Sequence, residues 1–343
     1  MRSHVNKTNR RSFLSPGCLT AAFIGTLAYS LCRVSHSPVL DPLVLALAAG
    51  VLCRTMVGSH IPFAAGSTPA ALICFPIGMT FYAVKNLNFA AYATVRPTSM
   101  ILAALIVFVY FATVLILGRL LGQRDRISYL TATGSAICGA SAIAIASPAV
   151  DADSDDVSVS LLAVTTAAMV ALFVLLPFVA TTAGLTDRTY GLLSGSTLQM
   201  TGCVKAAVMN LPFLRRQLSN EELVTLALSV KAARYLGLLI AIPLFASLTQ
   251  KRLYLPWTLW LFLGAGLLGT WIGLAWSDFY HTQLIPMITP LYSISWSIAM
   301  ATIGLSADAR QLLSNNGAKA LVMAFAGCGA AVATFFVGSM ILG

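Results

Sequence analysis

The chain has 343 residues, of which 58% are hydrophobic and only 9% charged, and its formal net charge is +10. A soluble domain carries about 25% charged residues, so a soluble fold of this size is excluded. Apolar runs of about 20 residues, the length that crosses a hydrocarbon layer, recur throughout. The alternating segments of about 10 residues that a transmembrane barrel needs are absent, which leaves an all-α polytopic membrane protein.

Eleven spans are expected in chain order, at approximately 16–32, 38–54, 66–85, 97–119, 131–150, 157–183, 190–210, 221–249, 256–276, 283–304 and 317–342. The first follows Arg2, Lys7, Arg10 and Arg11 and reads as an uncleaved helix, because no clear small-x-small cleavage site precedes a polar mature region. With the N-terminus inside, thirteen Lys and Arg residues fall in cytoplasmic segments and five in outer loops. That bias predicts a cytoplasmic N-terminus and a periplasmic C-terminus at a bacterial inner membrane, with the acidic loop 151–156 facing outward. Basic residues concentrated in short loops set topology, so the positive balance does not point to nucleic acid. The seven cysteines all lie in or beside apolar runs without CxxC spacing, which argues against disulfides and zinc.

A shift of 155 residues lays Ile143-Ala144-Ile145-Ala146-Ser147 on Ile298-Ala299-Met300-Ala301-Thr302, and Val150, Ala152 and Asp153 on Leu305, Ala307 and Asp308. The span starts recur likewise. The expected organisation is an N-terminal segment and extra helix, 1–37, followed by five-helix repeats at 38–183 and 190–343. Five is odd, so the second repeat inserts upside down, as in many secondary transporters. Small residues crowd the stretch "TATGSAICGASAIAIASPAV". Gly134, Gly139 and Pro148 are expected to interrupt the fifth span, and Gly304 the tenth. Unwound backbone is tolerated in a bilayer only where it lines a cavity, and half-helix N-termini there attract anions. Close packing of small residues is the competing explanation.

All eleven acids sit at span ends or in loops, whereas Lys231 and Arg234 lie near mid-depth on one helix face. Without an intramembrane carboxylate they need carbonyls, water or a bound anion; anion lining is the favoured reading. Loss of anion flux with normal insertion is then expected for Lys231→Ala or Arg234→Ala. Lys205 lies nearer a span end, within reach of the interface. Polar groups that could complete a site are Ser135, Cys138, Gly139 and Ser141 in the fifth span. The seventh adds Ser194, Ser196, Thr197, Gln199 and Thr201, and the tenth Ser293, Ser295, Ser297 and Thr302. Such hydroxyls often bond their own backbone instead.

The segments "GSAICGASAIAIASPAV", "YGLLSGSTLQ", "LSVKAARYLGLLIAIPL", "PWTLWLF" and "IAMATIGLSADARQL" occur in the order and spacing of the YeiH-type bacterial membrane proteins, a group also named for proposed sulfate export. The chain resembles that family over roughly residues 40–343. The resemblance implies an inner-membrane protein of the sodium/proton-antiporter-like superfamily, with crossed discontinuous helices in the fifth and tenth spans. It also implies a His–acid pair followed by Gln in the seventh span, where this chain reads Gln199, Met200 and Cys203, with Lys205 just beyond. That departure puts proton coupling in question.

The reading is a secondary transporter for a small anion, such as sulfate, a related oxyanion or an organic acid, working in the export direction. The alternative is a passive anion channel or a transport-inactive homologue. The substrate-binding candidates are Ser135, Cys138, Gly139, Ser141, Ser196, Thr197, Gln199, Lys231, Arg234, Ser297 and Thr302. No enzyme motif, cofactor or metal site is expected. The expected partners are a small anionic solute and the lipid bilayer, with a homodimer as an open assembly.

Overall fold

A computed structural model describes residues 16–35, 42–57, 69–87, 89–90, 97–209, 217–250, 257–306, 310 and 314–342. The basic N-terminus, Arg96, Arg215, Arg216, Lys251, Arg252 and the repeat positions Ala307 and Asp308 lie outside the described residues. Four successive helices begin on proline: α1 (Pro16–Ser35), α2 (Pro42–Val57), α3 (Pro69–Asn86) and α4 (Pro97–Leu120). The fixed proline φ and missing N–H suit a first turn, whose amides have no intrahelical partner. After α4 come α5 (Asp125–Ala136), α6 (Ala140–Ala146), α7 (Ser154–Val170), a π turn and α8 (Leu176–Thr182). Next are α9 (Asp187–Thr197), α10 (Thr201–Met209), α11 (Asn220–Ala233), a 3-10 turn and α12 (Gly237–Gln250). The chain continues through α13 (Trp257–Ala275), α14 (Ser277–Phe279), a second π turn, α15 (Ile285–Ser306) and α16 (Asn315–Leu342).

Six of these helical stretches are long and apolar enough to cross a membrane, and Leu45–Met56 and Leu259–Ala275 are shorter apolar helices. Large side chains such as Phe23, Phe108, Ile240, Trp260 and Trp271 are exposed on their outer faces, as lipid contact requires. The described residues contain no strand.

The fifth expected span does not cross; it turns back on itself. Arg126 pairs with Asp151 at 3.0 Å and Arg124 with Asp156 at 3.5 Å, so both ends of the α5–α6 segment lie at one face. A straight helix over 125–146 would separate its ends by about 33 Å, more than residues 147–151 can retrace at about 17 Å extended. The contact of Gly134 with the Ile143 side chain confirms the reversal. Gly139, at φ 71° and ψ −127°, makes the turn.

The seventh span turns back likewise. Its first residue, Asp187, accepts the backbone N–H groups of Gln217 at 2.6 Å and Leu218 at 2.8 Å. Alpha-9 packs parallel to α11, with Gly191 against Leu223 and Gly195 against the Ala227 backbone. Beyond the break at 198–200, Thr201 meets Tyr235 at 3.0 Å and Cys203 lies beside Lys231, so α10 runs back along α11.

The two hairpins enter from opposite faces because the continuous α7–α8 stretch lies between them, and their tips meet inside. Gly139 faces Met200, to which an added Cβ would approach within 2.8 Å.

These contacts correct several expectations. The acidic loop 151–156 lies on the same face as Arg124 and Arg126, not the opposite one. Gly134 stays helical within α5, and Pro148 sits in the turn that follows α6. The tenth span is not broken: Gly304 lies inside the continuous helix α15. There its missing Cβ lets α15 approach α2 so closely that an added one would sit 2.4 Å from the Leu47 carbonyl oxygen. The discontinuous elements are thus the fifth and seventh, not the fifth and tenth.

Asp187 ties the mouth of the second hairpin together. Desolvation would raise its pKa, but hydrogen bonds from Gln217, Leu218 and Arg188 outweigh it and hold the carboxyl below its usual 3.8. A depressed folded pKa gives stability that is present above the ordinary carboxylate value and lost as pH falls through the folded one. Asp187→Asn should therefore melt several degrees below wild type at neutral pH, and the gap should narrow below pH 3.8. Equal melting temperatures at neutral pH would show that the tie is dispensable.

Candidate functional site

Lys231 and Arg234 occupy the crossing where the hairpin tips meet, and each is only 1% exposed. The Lys231 ammonium donates to the carbonyl of Ile137 at 2.8 Å, to Leu198 at 2.6 Å and to Gln199. Arg234 donates through Nε to Ala136 at 2.8 Å, and through its terminal nitrogens to Leu198 at 2.7 Å and Ser135 at 2.8 Å. Its guanidinium also lies 5.4 Å from the Tyr110 ring centroid. The Tyr110 hydroxyl donates to the Thr197 carbonyl at 2.8 Å and accepts from Gln199 Nε2 at 3.3 Å. The unwound ends of α5 and α9 present carbonyls with no helical partner, and two cations satisfy them. Carbonyls were one of the partners that sequence reasoning allowed, and they occupy both side chains.

A cavity of about 80 Å³ opens next to the tips, large enough on volume for several waters at about 15 Å³ each. One wall comes from the hairpins: Cys138, Ala140, Ser141, Met200, Thr201, Gly202 and Lys205. The opposite wall comes from α2, α3 and α15, through Leu43, Tyr82, Asn86, Tyr292, Trp296 and Met300. Among the described residues no carboxylate lines it. Tyr82, Thr201 and Tyr235 form a triangle of hydroxyls, with Tyr82 at 2.6 Å from both others. Trp296 is 2% exposed, and its indole N–H has no hydrogen-bond partner among the described residues. Lys85 donates to the Thr289 hydroxyl at 2.9 Å and lies 5.4 Å from the Tyr292 ring centroid. The first turn of α10 starts at the cavity, and such a turn carries N–H groups without intrahelical partners and partial positive charge.

Of the residues singled out from sequence, Cys138 and Ser141 line the cavity, and Gly139 shapes the tip beside it. Ser141 donates to the Cys138 sulfur at 2.8 Å. Ser135 and Gln199 serve through backbone carbonyls at the crossing. Ser196 and Thr197 spend their hydroxyls on the carbonyls of Leu192 and Leu193, each at 2.7 Å. Thr302 bonds Ile298 at 3.0 Å, and Ser297 is buried with no partner for its hydroxyl among the described residues. None of these last four lines the cavity. Sequence reasoning passed over Tyr82, Asn86, Tyr292 and Trp296, and placed Lys205 by linear distance from a span end. Its true position follows from the turn at 198–200.

No solved structure matches this chain. It is 27% identical to a UPF0324 membrane protein of Archaeoglobus fulgidus over 92% of this chain and 88% of the relative. A UPF0324 membrane protein of Oceanobacillus iheyensis is 27% identical over 89% of each chain. One from Agrobacterium fabrum is 28% identical over 91% of this chain and 88% of its own. The model of the family described as conserved hypothetical protein 698 matches residues 16–324. The chain therefore belongs to that family, the UPF0324 membrane proteins with which the YeiH-type resemblance agrees.

Proposed function

We propose that the protein is a multi-pass inner-membrane secondary transporter for a small anion, such as a sulfate-like oxyanion or a small carboxylate, bound in the cavity beside the hairpin tips. The observation that carries this reading is the wall chemistry: Lys205, the hydroxyls of Tyr82, Ser141 and Thr201, and the start of α10, with no carboxylate among the described lining residues. Donors and partial positive charges facing a desolvated space favour an anion. Lys231 and Arg234 keep the tips in place but do not bind it. With the N-terminus cytoplasmic, the first hairpin enters from the cytoplasmic side and the second from outside. Each tip then stands between the substrate and one aqueous phase, the arrangement that alternating access uses. Export is the direction that the family resemblance favours.

Lys205→Met should remove one charge-assisted hydrogen bond, worth about 1.5–3 kcal/mol, or roughly tenfold to more than a hundredfold in affinity. Titration of purified protein with sulfate and small dicarboxylates, read by thermal shift, measures binding. Uptake into proteoliposomes measures transport. Wild-type affinity and flux in Lys205→Met would overturn the site. Stimulation of labelled efflux by unlabelled anion on the far side is expected of a carrier, whereas a passive channel would show conductance without it.

A further inference from the structure

Five backbone carbonyls, those of Ser135, Ala136, Ile137, Leu198 and Gln199, converge at the crossing from two helix C-termini that approach from opposite faces. Each C-terminus carries partial negative charge, so their meeting is repulsive unless a cation lies between them. In secondary transporters, unwound carbonyls and half-helix C-terminal ends are the oxygen set that coordinates Na⁺. Here the ammonium of Lys231 uses all three of its donors on three of these carbonyls, and Arg234 covers the rest while sharing Leu198. No carboxylate forms an ion pair with either residue among the described residues.

We propose that Lys231 and Arg234 are tethered cations filling a carbonyl cage of the kind that otherwise takes a free monovalent cation. The wild-type crossing then has no requirement for Na⁺. Removing the Lys231 ammonium without refilling its volume creates a monovalent-cation site. This inference is independent of which solute occupies the neighbouring cavity.

The test is the melting temperature of the full-length purified protein in sodium, ammonium or choline chloride at equal ionic strength. Wild type should melt alike in all three. Lys231→Ala should melt several degrees lower in choline and regain stability saturably with ammonium or Na⁺, as linkage requires of a ligand bound only by the folded state. Lys231→Met, whose thioether fills the vacated space, should be destabilised and indifferent to all three salts.

A sodium-dependent melting temperature in wild type would overturn the proposal. So would a Lys231→Ala variant as stable as wild type in choline, or one equally destabilised in every salt. Should Lys231→Ala yield no folded protein in choline, its recovery as monodisperse protein in ammonium or sodium chloride supports the proposal. Failure in all three salts overturns it. Any of these outcomes leaves the role of Lys205 to its own test.

Discussion

Arg234→Met is expected to destabilise the protein by roughly 2–6 kcal/mol, since two buried carbonyls lose their donors at about 1–3 kcal/mol each. The carbonyls are those of Ser135 and Ala136, while Leu198 retains the Lys231 ammonium. Methionine keeps much of the side-chain volume, so the loss reports hydrogen bonding and charge more than packing. Arg234→Lys should recover only part of it, because an ammonium lacks the planar fork that reaches Ser135, Ala136 and Leu198 together. Thermal unfolding read by alkylation of the buried Cys203 and Cys328 measures the difference. An Arg234→Met protein as stable as wild type would mean that the hairpin ends stand without this side chain. This outcome differs from the sequence-based expectation of intact folding with lost flux, because the guanidinium is committed to the fold's own backbone.

Gly139→Ala should be similarly costly for a different reason. Its backbone, at φ 71° and ψ −127°, belongs to a region that a Cβ disfavours by about 1–3 kcal/mol. The new Cβ would also stand 2.8 Å from Met200 Cγ, and such overpacking costs typically about 1–3 kcal/mol. The two contributions can be separated. Adding Met200→Ala relieves the contact but leaves the dihedral strain, so the double variant should recover part of the lost stability. Full recovery would show that the backbone conformation carries no penalty. Transport should fall in both variants, because the tip borders the cavity.

The membrane class was legible from composition, and the interruption at Gly139 from the crowding of small residues around it. The depth and isolation of Lys231 and Arg234 were also readable, because charge in an apolar run has few innocent explanations. Re-entry was not. An uncharged run of twenty residues looks the same whether it crosses or turns back, and only pairing of its flanks distinguishes the two. Those flanks carry complementary charges, Arg124 and Arg126 before and Asp151 and Asp156 after, but ion pairing is a fact of space. The partners of Lys231 and Arg234 were hidden for another reason: backbone carbonyls have no letter in the sequence. The pairing of the fifth span with the tenth came from similarity among small apolar residues. In α15 the small residues of that stretch include Gly304, used for close approach to α2 rather than for unwinding.

Both hairpins are stapled where they meet the membrane surface. Arg124 and Arg126 clasp Asp156 and Asp151 at the first mouth, and Asp187 grips the amides of Gln217 and Leu218 at the second. With their mouths fastened and their tips anchored to one helical stretch, both hairpins are tied at each end to the same framework. An alternating-access cycle of the kind proposed above would then have to carry the two hairpins together with α11, not one hairpin at a time.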